Sequence, residues 1–242
     1  MLGRRRGAKR LPQLITVTQP RSAAAEAYRS VRTNLQFSGL DEPVRTLVVT
    51  SAAAGEGKTT TAANFAVVAA QGGVRVCLID SDLRRPALHK LFGVPNEPGL
   101  TTALVEGLTA AAIAHSTAVT NLSVVTSGAL PPNPAEMASS RRMRELLDKA
   151  RSDFDLVVCD TPPVVSVSDG VALAAQCDGV LLVVRASTVP HDVVARAIEQ
   201  IEAVRGRIVG VLLNDINLRR NGYDYPYYRY ARSYYSNGNG TS

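Results

Sequence analysis

The stretch RTLVVTSAAAGEGKTT, residues 45–60, runs from a short apolar segment through small residues into a helix-forming segment. Its second half fits the pattern G-x-x-x-x-G-K-[ST], with Gly57, Lys58 and Thr59 in place and Ala52 where the first glycine belongs. A tight turn at Gly55 and Gly57 lets backbone N–H groups approach phosphate oxygens, and the helix that follows adds partial positive charge at its N-terminus. Lys58 would then reach the β/γ-phosphates, and the Thr59 hydroxyl would ligate Mg²⁺. An ordinary glycine-rich strand-to-helix turn accounts for the glycines but not for Lys-Thr at this place. Residues Gly55, Glu56, Gly57, Lys58, Thr59 and Thr60 are therefore read as a nucleotide site that uses Mg²⁺.

Around this stretch, apolar runs alternate with helical patterns. The runs are 45–51, 74–80, 121–127, 154–160, 178–186 and 206–214. Helical stretches fall near 58–71, 99–107, 134–151, 167–176 and 190–204, and an earlier helix is expected over 22–37 with Ser22 as its N-cap. Continuous apolar strands separated by helices imply an α/β fold of the P-loop NTPase kind, a mostly parallel sheet with helices on both faces. Such sheets bind ligands at the carboxyl ends of their strands.

The chain has 242 residues and 45% hydrophobic content, enough for one sizeable domain, expected over 22–218. Residues 1–21, with Pro12, Pro20 and RRRGAKR at 4–10, read as a basic extended arm. Residues 219–242 contain no aliphatic side chain larger than Ala231 and read as a disordered tail. The formal charge of +6 is concentrated at these ends. Basic ends can touch an anionic surface or simply stay solvated; no nucleic-acid partner is expected. Cys77 and Cys159 fall inside apolar runs, Cys177 lies near a helix end, and the odd count offers no disulfide framework. That usage suits a reduced, cytoplasmic protein. No leader peptide and no run of about 18 apolar residues is visible, so a role at the membrane would need another chain to hold this one there.

Two further acidic clusters end strands. Asp80 and Asp82 follow the second run, and Asp160 ends a later one. Parallel strands bring both ends to the rim that carries the phosphate loop. Carboxylates there can hold Mg²⁺ directly or through its waters, and one can accept a proton from an attacking hydroxyl. A lone Asp after a strand is usually a turn or a cap; three beside Lys58 are not explained that way.

These segments together carry a family resemblance. SAAAGEGKTT (51–60), CLIDSDLRRPALHKLF (77–92) and VVCDTPPV (157–164) resemble the Walker A, A′ and B motifs of the bacterial tyrosine kinases of capsule and exopolysaccharide export. SGALPPNPAEMASSRRMRELL (127–147) resembles the connecting segment of that family, and GVLLND (210–215) its late strand ending in Asn. The resemblance runs from about residue 22 to the C-terminus and implies an ATP-dependent protein-tyrosine kinase. It implies that Lys58 and Thr59 bind phosphate and Mg²⁺. Asp80 and Asp82 would hold the metal and activate the tyrosine hydroxyl, with the base left open between them. Asp160 would support the metal, and Asn214 would contact adenine.

Glu26, Arg29 and Arg32 stand at i, i+3 and i+6. A helical ion pair worth ~0.2–0.5 kcal/mol explains the first two but not the third. The spacing also resembles the family's E-x-x-R-x-x-R motif, which implies a homo-oligomeric ring. Seven of the eight tyrosines (Tyr223, Tyr225, Tyr227, Tyr228, Tyr230, Tyr234, Tyr235) sit in the tail. The resemblance makes them autophosphorylation sites reached in trans. It further implies a transmembrane polysaccharide co-polymerase as activator, which recruits the chain to the inner face of the membrane, and a protein-tyrosine phosphatase. The rival reading is a partitioning or cell-division switch ATPase on the same sheet. Those proteins carry a lysine second in the loop, where this chain has Ala53, and have no use for a tyrosine tail.

Overall fold

The computed structural model describes residues 13–38, 43–186 and 188–216. Among the described residues, seven strands form one sheet in the order β3-β4-β2-β5-β1-β6-β7. They are β1 (Thr46–Ser51), β2 (Val76–Asp80), β3 (His115–Ser116), β4 (Leu122–Val125), β5 (Leu156–Asp160), β6 (Gly179–Arg185) and β7 (Ile208–Asn214). The six expected runs are all strands and all parallel to one another. The two-residue β3, antiparallel to β4, is the addition; so short a segment has no periodicity to read.

The helices are α1 (Ile15–Thr18), α2 (Ala23–Ser38), α3 (Lys58–Gln71), α4 (Leu88–Phe92), α5 (Leu100–Glu106), α6 (Ala110–Ile113), α7 (Pro134–Ser139), α8 (Arg141–Asp153), α9 (Asp169–Ala174) and α10 (His191–Ala203). The single helix expected over 134–151 is two. Ser140 is extended, and its hydroxyl accepts from the Met143 amide, so it ends one helix and caps the next. As expected, Ser22 Oγ accepts from Ala25 N at the start of α2.

Both sheet faces are covered. Val48, Cys77, Ile79, Val157 and Cys159 face one core, with α5 to α10. Leu47, Val49, Val76, Leu78 and Val158 face the other, with α3, α4 and Leu35 of α2. This is the continuous burial on both faces that unalternated apolar strands require. Alanines at 62, 63, 66, 69 and 70 let α3 lie close against the sheet.

The expected extended arm is corrected in its described part. Leu14 is buried, α1 is a helical turn, and the Thr16 amide and hydroxyl both donate to Asn64 Oδ1, at 3.1 and 2.8 Å. Asn64 is itself buried in α3 and needs those donors. Such a partner 48 residues away leaves no local signal. Residues 1–12 and the tail from 217 lie outside the described residues, as do all seven tail tyrosines.

Candidate active site

The phosphate loop joins β1 to α3. Gly55 and Gly57 have φ of +81° and +90°, the left-handed region that favours glycine. A Cβ on Gly57 would lie 2.1 Å from Asn214 Nδ2, so any larger residue there would displace that side chain from the loop. Ala52 is fully buried in the core and is not among the positive-φ residues, so its missing glycine leaves no strain. Lys58, Thr59 and Thr60 form the first turn of α3.

Glu56 does not point outward from this loop. It is 2% exposed. Its Oε1 accepts from Ala53 N, its Oε2 accepts from Arg185 N at 2.9 Å, and its carbonyl accepts from Asn214 Nδ2 at 2.9 Å. Asn214 therefore sits against the phosphate loop at the end of β7.

The three carboxylates converge as parallel strand ends should. Asp80 and Asp160 are register partners across β2 and β5. Asp80 is fully buried, and its Oδ2 accepts from Ala87 N (3.0 Å) and Leu88 N (2.9 Å). Burial pushes its pKa up to about 6, against the lowering effect of those two amides. Asp82 uses Oδ1 to accept from Arg84 N and Arg85 N, and its Oδ2 lies 3.1 Å from Lys58 Nζ. Neither oxygen of buried Asp160 has a hydrogen bond of ordinary geometry. Burial pushes its pKa up to about 8, while nearby Lys58 and the Thr59 hydroxyl pull the other way.

An unpartnered carboxylate nine-tenths or more buried is unstable as an anion unless a cation joins it. Asp160, beside Thr59, Asp82 and Lys58, thus fits Mg²⁺. Among the described residues no three His, Cys, Asp or Glu side chains close into a cage. A site built from few protein ligands is the arrangement Mg²⁺ takes when phosphate oxygens and waters complete its shell.

Sequence reasoning missed the support for this rim. Arg84 forks onto Asp169 (Nε–Oδ2 2.9 Å, Nη2–Oδ1 3.1 Å), and Asp169 is buried at the start of α9. The pair ties the 80–85 turn to the segment after β5. Arg84 could be suspected from its place two residues after Asp82; Asp169 could not.

The Glu26–Arg29–Arg32 stripe divides. Arg29 Nη1 pairs with Glu26 Oε2 at 2.7 Å, and both side chains are partly exposed. Arg32 turns inward and donates to Val68 O at 3.0 Å, near the C-terminal end of α3, where cations are favoured. Tyr28, the one tyrosine outside the tail, lies on the same helix; burial pushes its phenol pKa up.

The AAA-domain family model matches residues 44–214. Tyrosine-protein kinase YwqD of Bacillus subtilis is 38% identical over 227 residues, covering 94% of this chain and 95% of that protein. The putative tyrosine-protein kinase EpsB of Ralstonia solanacearum is 39% identical over 224 residues, 92% of this chain but 30% of EpsB. Among solved structures, the kinase domain of Escherichia coli tyrosine kinase ETK superposes with a TM-score of 0.83 at 34% identity, covering 90% of this chain and 86% of that one.

Proposed function

This chain belongs to the bacterial tyrosine-protein kinases, and on that premise we propose that it transfers the γ-phosphoryl group of ATP to its own C-terminal tyrosines, one subunit acting on the next in a ring. The observation that carries the reading is the buried Asp160 carboxylate, without a hydrogen-bond partner, beside the Lys58–Asp82 pair at the mouth of the phosphate loop.

In this mechanism the loop amides and the first turn of α3 hold the β- and γ-phosphates, and Lys58 offsets their charge. Thr59 and Asp160, with Asp82 beside them, would hold Mg²⁺, which when bound would supply positive charge to offset the phosphates. The tyrosine oxygen attacks the γ-phosphorus, the bond to the β-phosphate oxygen breaks, and ADP leaves. The phenol proton passes to Asp82. A phenol with an ordinary pKa near 10 needs such an acceptor at neutral pH. Asp82 suits the role better than Asp80 by position, since its Oδ2 lies 3.1 Å from Lys58 Nζ at the phosphate loop, whereas Asp80 is fully buried against the start of α4. Asn214 contacts the adenine.

The tail tyrosines are the acceptors. Each phosphate adds about −1.5 to −2 charges, so the basic tail becomes acidic and is repelled from the phosphate-filled site. Release of the ring follows. The resemblance to the capsule and exopolysaccharide kinases supports a role in polysaccharide synthesis and export. It also supports a membrane co-polymerase that activates and recruits the chain to the inner face of the membrane, and a phosphatase that resets it. No helix among the described residues is long and apolar enough to cross a membrane. The switch-ATPase reading has less support, because Ala53 supplies no ammonium group and its amide is tied to Glu56.

Mass spectrometry of the chain after incubation with ATP and Mg²⁺ should place phosphate on residues 223–235. Changing all seven tail tyrosines to Phe should remove nearly all of it. Undiminished labelling elsewhere would overturn the tail as acceptor. For the ring, Arg29→Ala is the cleaner probe, since Arg29 bonds within its own chain only to nearby Glu26 and Pro20, among the described residues, whereas Arg32 reaches across to α3. The unphosphorylated variant should elute as smaller species on sizing; an elution profile like the parent's would remove Arg29 from the interface.

A further inference from the structure

Glu56 is a buried acid whose carboxylate faces no cation among its hydrogen-bond partners. It meets two backbone amides from separate parts of the chain. One belongs to Ala53, inside the phosphate loop, and the other to Arg185, the last residue of β6. Its own carbonyl is held by Asn214 at the end of β7. That end is fixed in turn, because Ala186 N donates to Asn214 O at 2.9 Å and the Arg185 guanidinium forks onto Asp215 Oδ2 at 2.9 and 2.7 Å.

We propose that Glu56 is a positioning residue that does not itself touch the nucleotide: it fastens the phosphate loop to the ends of β6 and β7 and so sets the loop's affinity for phosphate. This deepens the kinase reading and rests on it. A flexible loop with two positive-φ glycines loses conformational entropy when it closes on phosphates. A loop already held by three hydrogen bonds has lost most of it beforehand, which is the general benefit of preorganisation. The geometry needs two acceptor oxygens. In Glu56→Gln one oxygen remains, and the new NH₂ faces an N–H donor with nothing to accept it.

The test uses the full chain and two probes in Mg²⁺, ATP and inorganic tripolyphosphate. Tripolyphosphate has no base or ribose, so it reports the loop alone. Glu56→Gln is expected to weaken both probes by a similar factor of about ten or more, the scale of losing one charge-assisted hydrogen bond. Asn214→Ala keeps the carboxylate and loses the carbonyl tie, and the adenine contact of Asn214 does not bear on tripolyphosphate, whose binding the variant should weaken by about threefold. It therefore tests the same fastening if the Gln variant folds poorly. Loss confined to ATP in Glu56→Gln would mean that Glu56 meets the nucleoside, and would overturn the proposal. Unchanged tripolyphosphate affinity in both variants would do the same. A parent chain that binds neither probe would instead overturn the kinase reading.

Discussion

Lys58→Met is expected to reduce phosphotyrosine formation at saturating ATP and Mg²⁺ by about 10²–10³-fold, the usual cost of deleting one preorganised charge at a transition state. Lys58 Nζ lies 3.1 Å from Asp82, and its charge also restrains the proton affinity of Asp160. Methionine fills a similar volume without the ammonium group. Three carboxylates would then face the triphosphate with no fixed cation among them. Lys58→Arg should recover only part of the rate, because a planar fork does not substitute for a compact point charge in a closed loop. The measurement is transfer of labelled phosphate, with phosphotyrosine quantified. Equal rates in the parent and the Met variant would remove Lys58 from the chemistry.

Asp160→Asn should have opposite effects on stability and activity. In the chain without metal or nucleotide, Asp160 holds a proton up to about pH 8 and Asp80 up to about pH 6. An unfolded carboxylate releases its proton near pH 4. Between those limits the folded state binds more protons than the unfolded state, so stability falls as pH rises. The decline runs from about pH 4 to 6 for Asp80 and continues to about pH 8 for Asp160. Asparagine removes the second contribution while keeping the shape. Thermal unfolding in EDTA at pH 8 should therefore show Asp160→Asn more stable than the parent, by about 2–4 kcal/mol. At pH 5 the gap should be much smaller. Kinase activity should be nearly lost, since the proposed Mg²⁺ site loses one of its anionic groups. A gap of equal size at both pH values would mean that buried charge is not its cause. Added Mg²⁺ and ATP should stabilise the parent far more than the variant.

The site was legible to different depths. Gly57, Lys58 and Thr59 are fixed by covalent spacing, because a loop that wraps phosphate and opens a helix tolerates little variation in length. Asp80 and Asp160 could be placed together because parallel strands bring their carboxyl ends to one rim. The division of labour between Asp80 and Asp82 could not. It depends on which oxygen meets the α4 amides and which meets Lys58. Arg32 shows the same limit: its spacing predicted a surface stripe, yet its guanidinium turns to the end of α3. Helix breaks behaved likewise. Residues 134–151 carry a continuous helical pattern, and an extended Ser140, whose hydroxyl donates to Met137 O and accepts from Met143 N, divides it.

The structure set the order of the six long strands, but the sequence by itself determined the parallel sheet, those strands in it, the phosphate loop and the kinship to tyrosine kinases. These follow from local periodicity and from short motifs whose chemistry needs fixed intervals. Only the tertiary structure decided that Leu14 and Thr16 are packed against α3, that Asp169 anchors Arg84, and that Asp160 is a buried acid whose oxygens lack hydrogen-bond partners. Only there does Glu56 become a fastener between the loop and two distant strand ends. Each of these depends on groups that meet across many residues of chain, where burial and hydrogen-bond partners, rather than residue type, set what a carboxylate can do.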